Sequence, residues 1–359
     1  MSTSDDVPAQ LGFRRRRLVL VAAAVGAIGA AGGLGLVVHG RSQPAQGAAL
    51  PAGVLRIGDQ RGGVRALMTA AGVLHDAPYR IEWAEMPAAA PLLEALSAGA
   101  IDLGGVGGAP FAFAYSNGAP VKAVLGSRYA TVDPESGKSS AILVPKASPL
   151  RSVADLRGRW LATIKGSAGQ DTALRILQRA GVDPRQVHFV YLNNGDAKAA
   201  LASGSIDAWS TWGTYVGIAL TEGGNRILAD AAGLNAPGRI AGVLAASDKT
   251  LDAKRPLVRD FLQRYLTARA WARTHREVYA AQIAKETGVP LAAARYGTAT
   301  VLGTEFTPID GDFLAEQRKT FDLYLRAGVI DAVPPLDKTG YDSEFNGLLG
   351  AQPLRQASN

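Results

Sequence analysis

Cysteine is absent from all 359 residues. That excludes disulfides, a thiolate nucleophile, Cys-bound metal and a lipid anchor on an N-terminal Cys. Histidine is nearly absent. His39, His75, His188 and His275 are scattered, and no His-Glu cluster or Ser/His/Asp grouping falls at a recognisable spacing. The chain is therefore expected to hold no metal and no cofactor, and not to be an enzyme. Charged residues are only 19 % of the chain against 47 % hydrophobic, which suits a compact body rather than a disordered one. Basic runs are missing beyond Arg14–Arg17, and few aromatics interleave with bases. The formal charge of +7 includes five arginines in the first 47 residues, so the body is only mildly basic and nucleic-acid binding has no support.

What is present begins with a targeting pattern. Arg14–Arg17 precede an uncharged run from Leu18 to Val38, followed by Arg41, Pro44 and the small-residue series Ala45-Gln46-Gly47-Ala48-Ala49. The order of basic, apolar and small residues is that of a secretory signal. The apolar run is 21 residues long, enough to cross a bilayer, so an uncleaved inner-membrane anchor is the alternative. Under either reading Arg14–Arg17 stay in the cytoplasm and the body lies outside. The lack of a lipid-anchoring Cys favours a soluble periplasmic location. Residues 1–47 are assigned to this signal peptide or anchor.

From Val54 onward, short apolar strands alternate with segments of helical spacing. Strands are read at 54–57, 79–83, 101–106 and 121–125, then at 141–144, 160–164, 187–192, 206–209, 226–228 and 241–246. Such alternation predicts parallel sheets covered on both faces. One internal echo stands out. Leu96-Ser-Ala-Gly99-Ala-Ile101-Asp102 reappears as Leu201-Ala-Ser-Gly204-Ser-Ile206-Asp207. The length and the echo together predict two α/β lobes of one design. Lobe 1 would be discontinuous, 54–136 and 242–350, with helical segments at 254–300 and 312–327 packing back on it. Lobe 2 would be 139–238. Crossings near Pro134–Ser139 and Pro237–Gly242 would form a hinge with a central ligand cleft.

Ligands of open α/β sheets sit beyond the carboxyl ends of strands. Four such places carry the candidate site: Gly58-Asp-Gln60-Arg61-Gly62, Gly104-Gly-Val-Gly107-Gly108-Ala109, Lys165-Gly166-Ser167-Ala168-Gly-Gln170, and Trp209-Ser-Thr-Trp212-Gly-Thr-Tyr215. The second and third precede helices. A helix N-terminus offers free N–H groups and about half a positive charge, enough to hold an anion. Glycine lets the ligand come close to the backbone. Gly107, Gly108 and Ala109 in one lobe and Gly166, Ser167 and Ala168 in the other would grip one anionic head group. Gln60 and Arg61 would add donors, and Trp212 and Tyr215 would wall the cleft.

Several stretches together resemble the aliphatic-sulfonate-binding proteins of ABC importers, within the wider group of taurine- and nitrate-type receptors. They are Leu55-Arg-Ile-Gly-Asp-Gln60-Arg61-Gly62, Leu92-Leu-Glu-Ala-Leu96 with Gly99-Ala-Ile-Asp102, Lys146-x-Ser148-Pro149 with Ser152-Val-Ala-Asp155-Leu156-Arg157-Gly158, Lys165-Gly166-Ser167, Asp196-Ala197-Lys198, and Asp207-Ala208-Trp209 with Trp212. The resemblance runs over about residues 54–250, more loosely beyond. It implies a type II periplasmic-binding-protein fold, a role in sulfur metabolism through capture of a small sulfonate, and delivery to a permease and ATPase by a monomer.

Two departures bear on the ligand. Gly107-Gly108-Ala109-Pro110 stands where the family commonly has Gly-Asp before a proline-bearing helix start. Trp212-Gly213-Thr214-Tyr215 stands where it often reads Trp-Asp-Pro-Tyr. Both remove a carboxylate from a cleft loop, which predicts a larger or less polar sulfonate rather than an amine such as taurine. The alternatives on the same fold are another anion or a pyrimidine precursor of thiamine, since aromatic walls also serve flat rings. A desulfinase-like enzyme would need the cleft cysteine that this chain lacks.

Overall fold

In this computed structural model the chain is described over residues 53–61, 63–130, 138–222 and 224–350. The apolar run at 18–38, Gly62 of the first candidate loop and most of the crossing at Pro134–Ser139 lie outside the described residues. Among the described residues no helix is long and apolar enough to cross a membrane.

The chain runs β1 (Val54–Gln60), α1 (Gly63–Ala70), β2 (Arg80–Met86), α2 (Ala89–Ser97), β3 (Leu103–Gly107), α3 (Gly108–Ser116) and β4 (Lys122–Tyr129). It continues through β5 (Ser140–Pro145), β6 (Trp160–Thr163), α4 (Ala168–Arg179), β7 (His188–Tyr191), α5 (Asn194–Ser203), β8 (Ala208–Trp212), α6 (Thr214–Glu222) and β9 (Asn225–Asp230). Then come β10 (Ile240–Ala246), α7 (Asp248–Thr274), α8 (Arg276–Thr287), α9 (Leu291–Leu302), β11 (Thr304–Thr307) and α10 (Gly311–Arg326).

Two sheets result, in the orders β11-β4-β10-β3-β1-β2 and β7-β6-β8-β5-β9. Strands joined by helical crossovers are parallel: β1 with β2 and β3, and β6 with β7 and β8. The expectation of wholly parallel sheets needs correction. β10 runs antiparallel to β3 and β4, and β5 antiparallel to β8 and β9. β5 and β10 are the strands on which the chain enters one sheet from the other. They arrive from the opposite end and cannot continue the βαβ direction.

Both faces of each sheet are covered, which is why the strands read as nearly unbroken apolar runs. Leu55, Leu125 and Leu244 of the first sheet meet Phe261, Leu262 and Tyr265 of α7. Its other face buries Val106 and Val243 against Leu92, Phe111 and Phe313. The second sheet sets Ile142 and Leu161 against Leu177 on one side, and Leu143 and Trp209 against Leu201 on the other. The C-terminal segment serves both sheets. α9 crosses α6 so closely that a Cβ on Gly217 would sit 2.5 Å from the Ala293 Cα. On α10, the Tyr324 hydroxyl donates to the Ser167 carbonyl at 3.3 Å.

The sequence echo has a physical basis. In each copy the glycine turns the helix end at positive φ, +69° for Gly99 and +76° for Gly204. The aspartate two residues beyond the turn's closing residue then reaches the start of the neighbouring strand. Asp102 accepts the Arg56 N–H at 2.8 Å and Asp207 the Trp160 N–H at 2.8 Å. Each Asp N–H also donates back, to the carbonyl of Arg56 or Trp160. The repeat therefore pins β1 to the turn before β3, and β6 to the turn before β8.

Candidate functional site

A cavity of about 290 Å³ is lined by residues from the carboxyl ends of β1, β3 and β8 and from the starts of α3, α4 and α6. Small-molecule pockets begin at roughly 300 Å³, so the space suits a ligand of few heavy atoms. Its floor is a patch of the first sheet where β3 and β10 carry glycine: Gly107 pairs with Gly242, and Gly105 faces Leu244. A Cβ on Gly242 would meet the Val106 carbonyl oxygen at 2.7 Å, and one on Gly107 would meet Pro110 at 3.1 Å. The close approach of strand and helix excludes side chains there and leaves the backbone bare.

Four helices begin near this floor; α6, opening at Thr214, stands on its aromatic side, and the other three differ in how they are capped. The α1 start is closed by its own chain: Asp59 accepts the N–H groups of Val64 and Arg65 at 2.8 and 2.9 Å. α3 begins Gly108-Ala109-Pro110, and the proline has no N–H to give. α4 is capped by Ser167, whose Oγ accepts the Gln170 N–H at 3.2 Å. The N–H groups of Ala168 and Gly169 have no partner within the described residues. The α3 and α4 starts are thus the open ones, each carrying a partial positive charge.

Arg61 supplies a full charge. It sits at φ +52°, the one non-glycine residue at positive φ among the described residues. Its Nη1 donates to the Tyr215 hydroxyl at 3.1 Å, and its guanidinium carbon lies 4.6 Å from that ring's centroid. Tyr215 in turn donates to the Pro87 carbonyl at 3.0 Å, and Trp212 stands edge-on to it at 6.0 Å. The aromatic wall following the second sheet is thereby held against the first. Arg61 Nε is buried without a partner.

Of the residues singled out from the sequence, Gln60, Arg61, Gly107, Ser167, Ala168, Trp212 and Tyr215 line this cavity together. Gln60 is partly committed, since its Nε2 donates to the Gly105 carbonyl at 2.8 Å and braces β1 to β3. Gly108 and Ala109 line a smaller neighbouring space instead. Gly108 is a packing glycine, with Ile240 2.8 Å from a notional Cβ and its carbonyl taken by Gln317. Gly166 lines neither space. Its N–H donates to Gln170 Oε1 at 2.6 Å, and at φ +70° its α-carbon abuts the Phe113 ring. It shapes the turn and does not reach the cavity.

The sequence predicted a cleft poor in carboxylates, yet Asp59 lines it. Each of its oxygens accepts one N–H of the α1 start, which fixes the carboxylate in place. Burial pushes the Asp59 carboxyl up to about 6, against the opposing pull of the Arg65 and Val64 N–H groups. A carboxyl raised in the folded state holds its proton longer than in the unfolded chain. Its contribution is therefore most favourable below about pH 4 and is lost as pH rises through about 6. Two units correspond to about 3 kcal/mol. Denaturant titrations from pH 4.5 to 7.5 should show the wild type losing stability relative to Asp59→Asn; parallel curves would mean the carboxyl titrates normally.

The inner lining escaped sequence reading. Leu125, Ser127 and Tyr129 alternate along β4 and all face the cavity, as do Tyr265 and Arg269 of α7, Tyr279 of α8 and Phe306 of β11. The β4 alternation is the signal that pointed to a face. Nothing local said that a ligand space lay beneath it.

The model of the family described as NMT1/THI5 like matches residues 81–277. An aliphatic sulfonates-binding protein of Escherichia coli (strain K12) is 34 % identical over 273 residues, 75 % of this chain and 83 % of that one. Among solved structures, the alkanesulfonate-binding protein SsuA from Xanthomonas axonopodis pv. citri, bound to MOPS, superposes with a TM-score of 0.70 at 31 % identity, covering 81 % of this chain and 98 % of that one. The periplasmic aliphatic sulphonate binding protein SsuA from Escherichia coli gives 0.65 at 30 % identity, covering 85 % and 94 %.

Proposed function

Since this chain belongs to the NMT1/THI5-like family, among the aliphatic-sulfonate-binding proteins, we propose that it captures a small organosulfonate in the periplasm and delivers it to the permease and ATPase of an ABC importer. Its fold is the type II periplasmic-binding-protein fold, two α/β lobes about a central cleft. The lobes are assigned as 54–136 with 242–350, and 139–238, closing as one monomer about the connections β4–β5 and β9–β10. The Escherichia coli SsuA is a periplasmic protein.

One observation carries the reading: the open α4 start at Ala168 and the Arg61 guanidinium share a cavity whose single carboxylate is already hydrogen-bonded. A sulfonate is a monoanion with three acceptor oxygens at any physiological pH. The Ala168 N–H and the Arg61 guanidinium would donate to those oxygens. Ligand bound to one lobe then favours the arrangement in which Tyr215 and Arg61 meet, a shift of population towards closure. Binding without turnover is the expected chemistry, since the described cavity lining offers neither cysteine nor histidine.

Calorimetric titration with alkane-1-sulfonates, taurine, nitrate and a hydroxymethylpyrimidine tests it. Alkanesulfonates should bind most tightly and taurine more weakly, because the lining by Leu67, Leu125, Ile283 and Phe306 gives its ammonium little to replace the water it loses. Tight pyrimidine binding with no response to sulfonates would sink the reading, and hydrolysis or oxidation of a sulfonate would overturn the non-enzyme assignment.

A further inference from the structure

The cavity does not end at the head-group loops. It continues beneath the first sheet to α7, where Tyr265 and Arg269 line its inner end one helical turn apart. The passage is apolar, walled by Leu125, Ile283 and Phe306. Two donors at the end of it are out of place in a space meant for hydrocarbon alone.

Tyr265 is 8 % exposed. Its ring is fixed between Phe261, stacked at 6.5 Å, and Phe306, edge-on at 5.7 Å. Its hydroxyl has no hydrogen-bond partner among the described residues. The hydroxyl is not sealed in protein but opens on the cavity, where it is free to donate to a guest. Arg269 is also 8 % exposed. Nη2 donates to the Val301 and Thr304 carbonyls and to Thr304 Oγ1, which uses one nitrogen of the fork. The guanidinium carbon lies 4.9 Å from the Phe306 centroid, and no acidic side chain pairs with it among the described residues. The pair therefore presents a hydroxyl and a cation with donors to spare.

We propose that Tyr265 and Arg269 form a second subsite that accepts an oxygen at the far end of the sulfonate's tail, making the cargo an oxygen-terminated alkanesulfonate rather than a plain one. This rests on the sulfonate reading above and names the ligand class within it. The terminal oxygen is one that accepts from the Tyr265 hydroxyl, as a hydroxyl, carbonyl or ether does.

The experiment compares butane-1-sulfonate with 4-hydroxybutane-1-sulfonate, which share head group and spacer, on the full-length exported protein by calorimetry. The hydroxyl compound should bind about five-fold tighter, the equivalent of about one hydrogen bond. Tyr265→Phe keeps the ring and should bring that ratio to about one; Arg269→Lys, which keeps the charge, should lower it less. Equal affinities in the wild type, or a ratio untouched by Tyr265→Phe, overturn the subsite while leaving sulfonate capture standing. Failure of both compounds to bind overturns the sulfonate reading and the subsite with it. Should Tyr265→Phe not fold, the wild-type ratio alone decides.

Discussion

Gly169→Ala is expected to cost about 2 kcal/mol of folding stability and to weaken ligand binding by an order of magnitude or more. Intrinsic propensity argues the other way, since alanine is about 1 kcal/mol better than glycine in a helix. Space decides against it. A Cβ at this position, in the first turn of α4, would lie 2.6 Å from the Ser210 carbonyl oxygen and 2.7 Å from Thr163 Oγ1. The first belongs to the backbone of β8 and cannot swing away. It is also part of the contact that seats the helix, because Ser210 Oγ donates to the Gly169 carbonyl at 2.7 Å. Relief can come only by lifting the α4 start off the sheet, which moves the Ala168 N–H from the cavity. Gly311→Ala is the matched control: it lies in the first turn of α10 with nothing within 4 Å of the added atom, and should be neutral or slightly stabilising. Denaturant midpoints and sulfonate titrations of both variants settle the matter. Equal behaviour of the two would show that α4 has room to spare.

Asp102→Ala should destabilise the protein by about 3 kcal/mol, and Asp207→Ala, the same residue in the other copy of the echo, by about 1 kcal/mol. Each holds a neighbouring parallel strand by a backbone N–H, β1 for Asp102 and β6 for Asp207. They differ in setting. The Asp102 side chain is 3 % exposed and also accepts from Arg56 Nη2 at 2.9 Å and Lys254 Nζ at 2.7 Å. Lys254 reaches it because α7 departs from helical geometry at that residue, two before Pro256. The Asp207 side chain is 32 % exposed, and its ion pair with Arg159 is a loose 3.7 Å. Burial works to raise the Asp102 carboxyl, but the hydrogen bonds from Arg56 and Lys254 outweigh it and hold it below the usual carboxylate range. Its stabilisation is therefore complete above the unfolded pKa, near 4, and is lost as pH falls below that. Midpoints for the two variants at pH 7 and pH 3.5 would show it: the deficit of Asp102→Ala should shrink in acid. Equal deficits at pH 7 would mean that the echo is symmetrical in energy as well as in sequence.

Much of this was legible because period and punctuation agree. Leu92, Leu93 and Leu96 marked one face of a helix, Gly99 and Gly204 ended theirs in left-handed turns, and the strand ends fell where loops were sought. What escaped reading depends on contacts distant in sequence. β11 is four residues of edge strand, Thr304–Thr307, set between helices, and only its pairing with β4 makes it a strand. Tyr215 was taken as a loop residue; it opens α6, because helix and loop share polar residues at such starts. Asp59 falls in a candidate binding loop, and local sequence does not say that a helix beginning four residues later claims its carboxylate. Gly108 and Gly166 were legible as special glycines, but their reason is the proximity of Ile240 and Phe113, which no window around them contains. The inner end of the cavity needed α7 and β4 on one page, 140 residues apart in sequence for Leu125 and Tyr265.

The Asp59 cap on α1 has a consequence for the sign of the guest. Its carboxylate is spent on the N–H groups of Val64 and Arg65, so the positive end of that helix is answered from within the chain. The guanidinium groups of Arg61 and Arg269 border the same cavity with no acidic partner among the described residues. The cleft is therefore biased towards an anion before shape or tail is consulted.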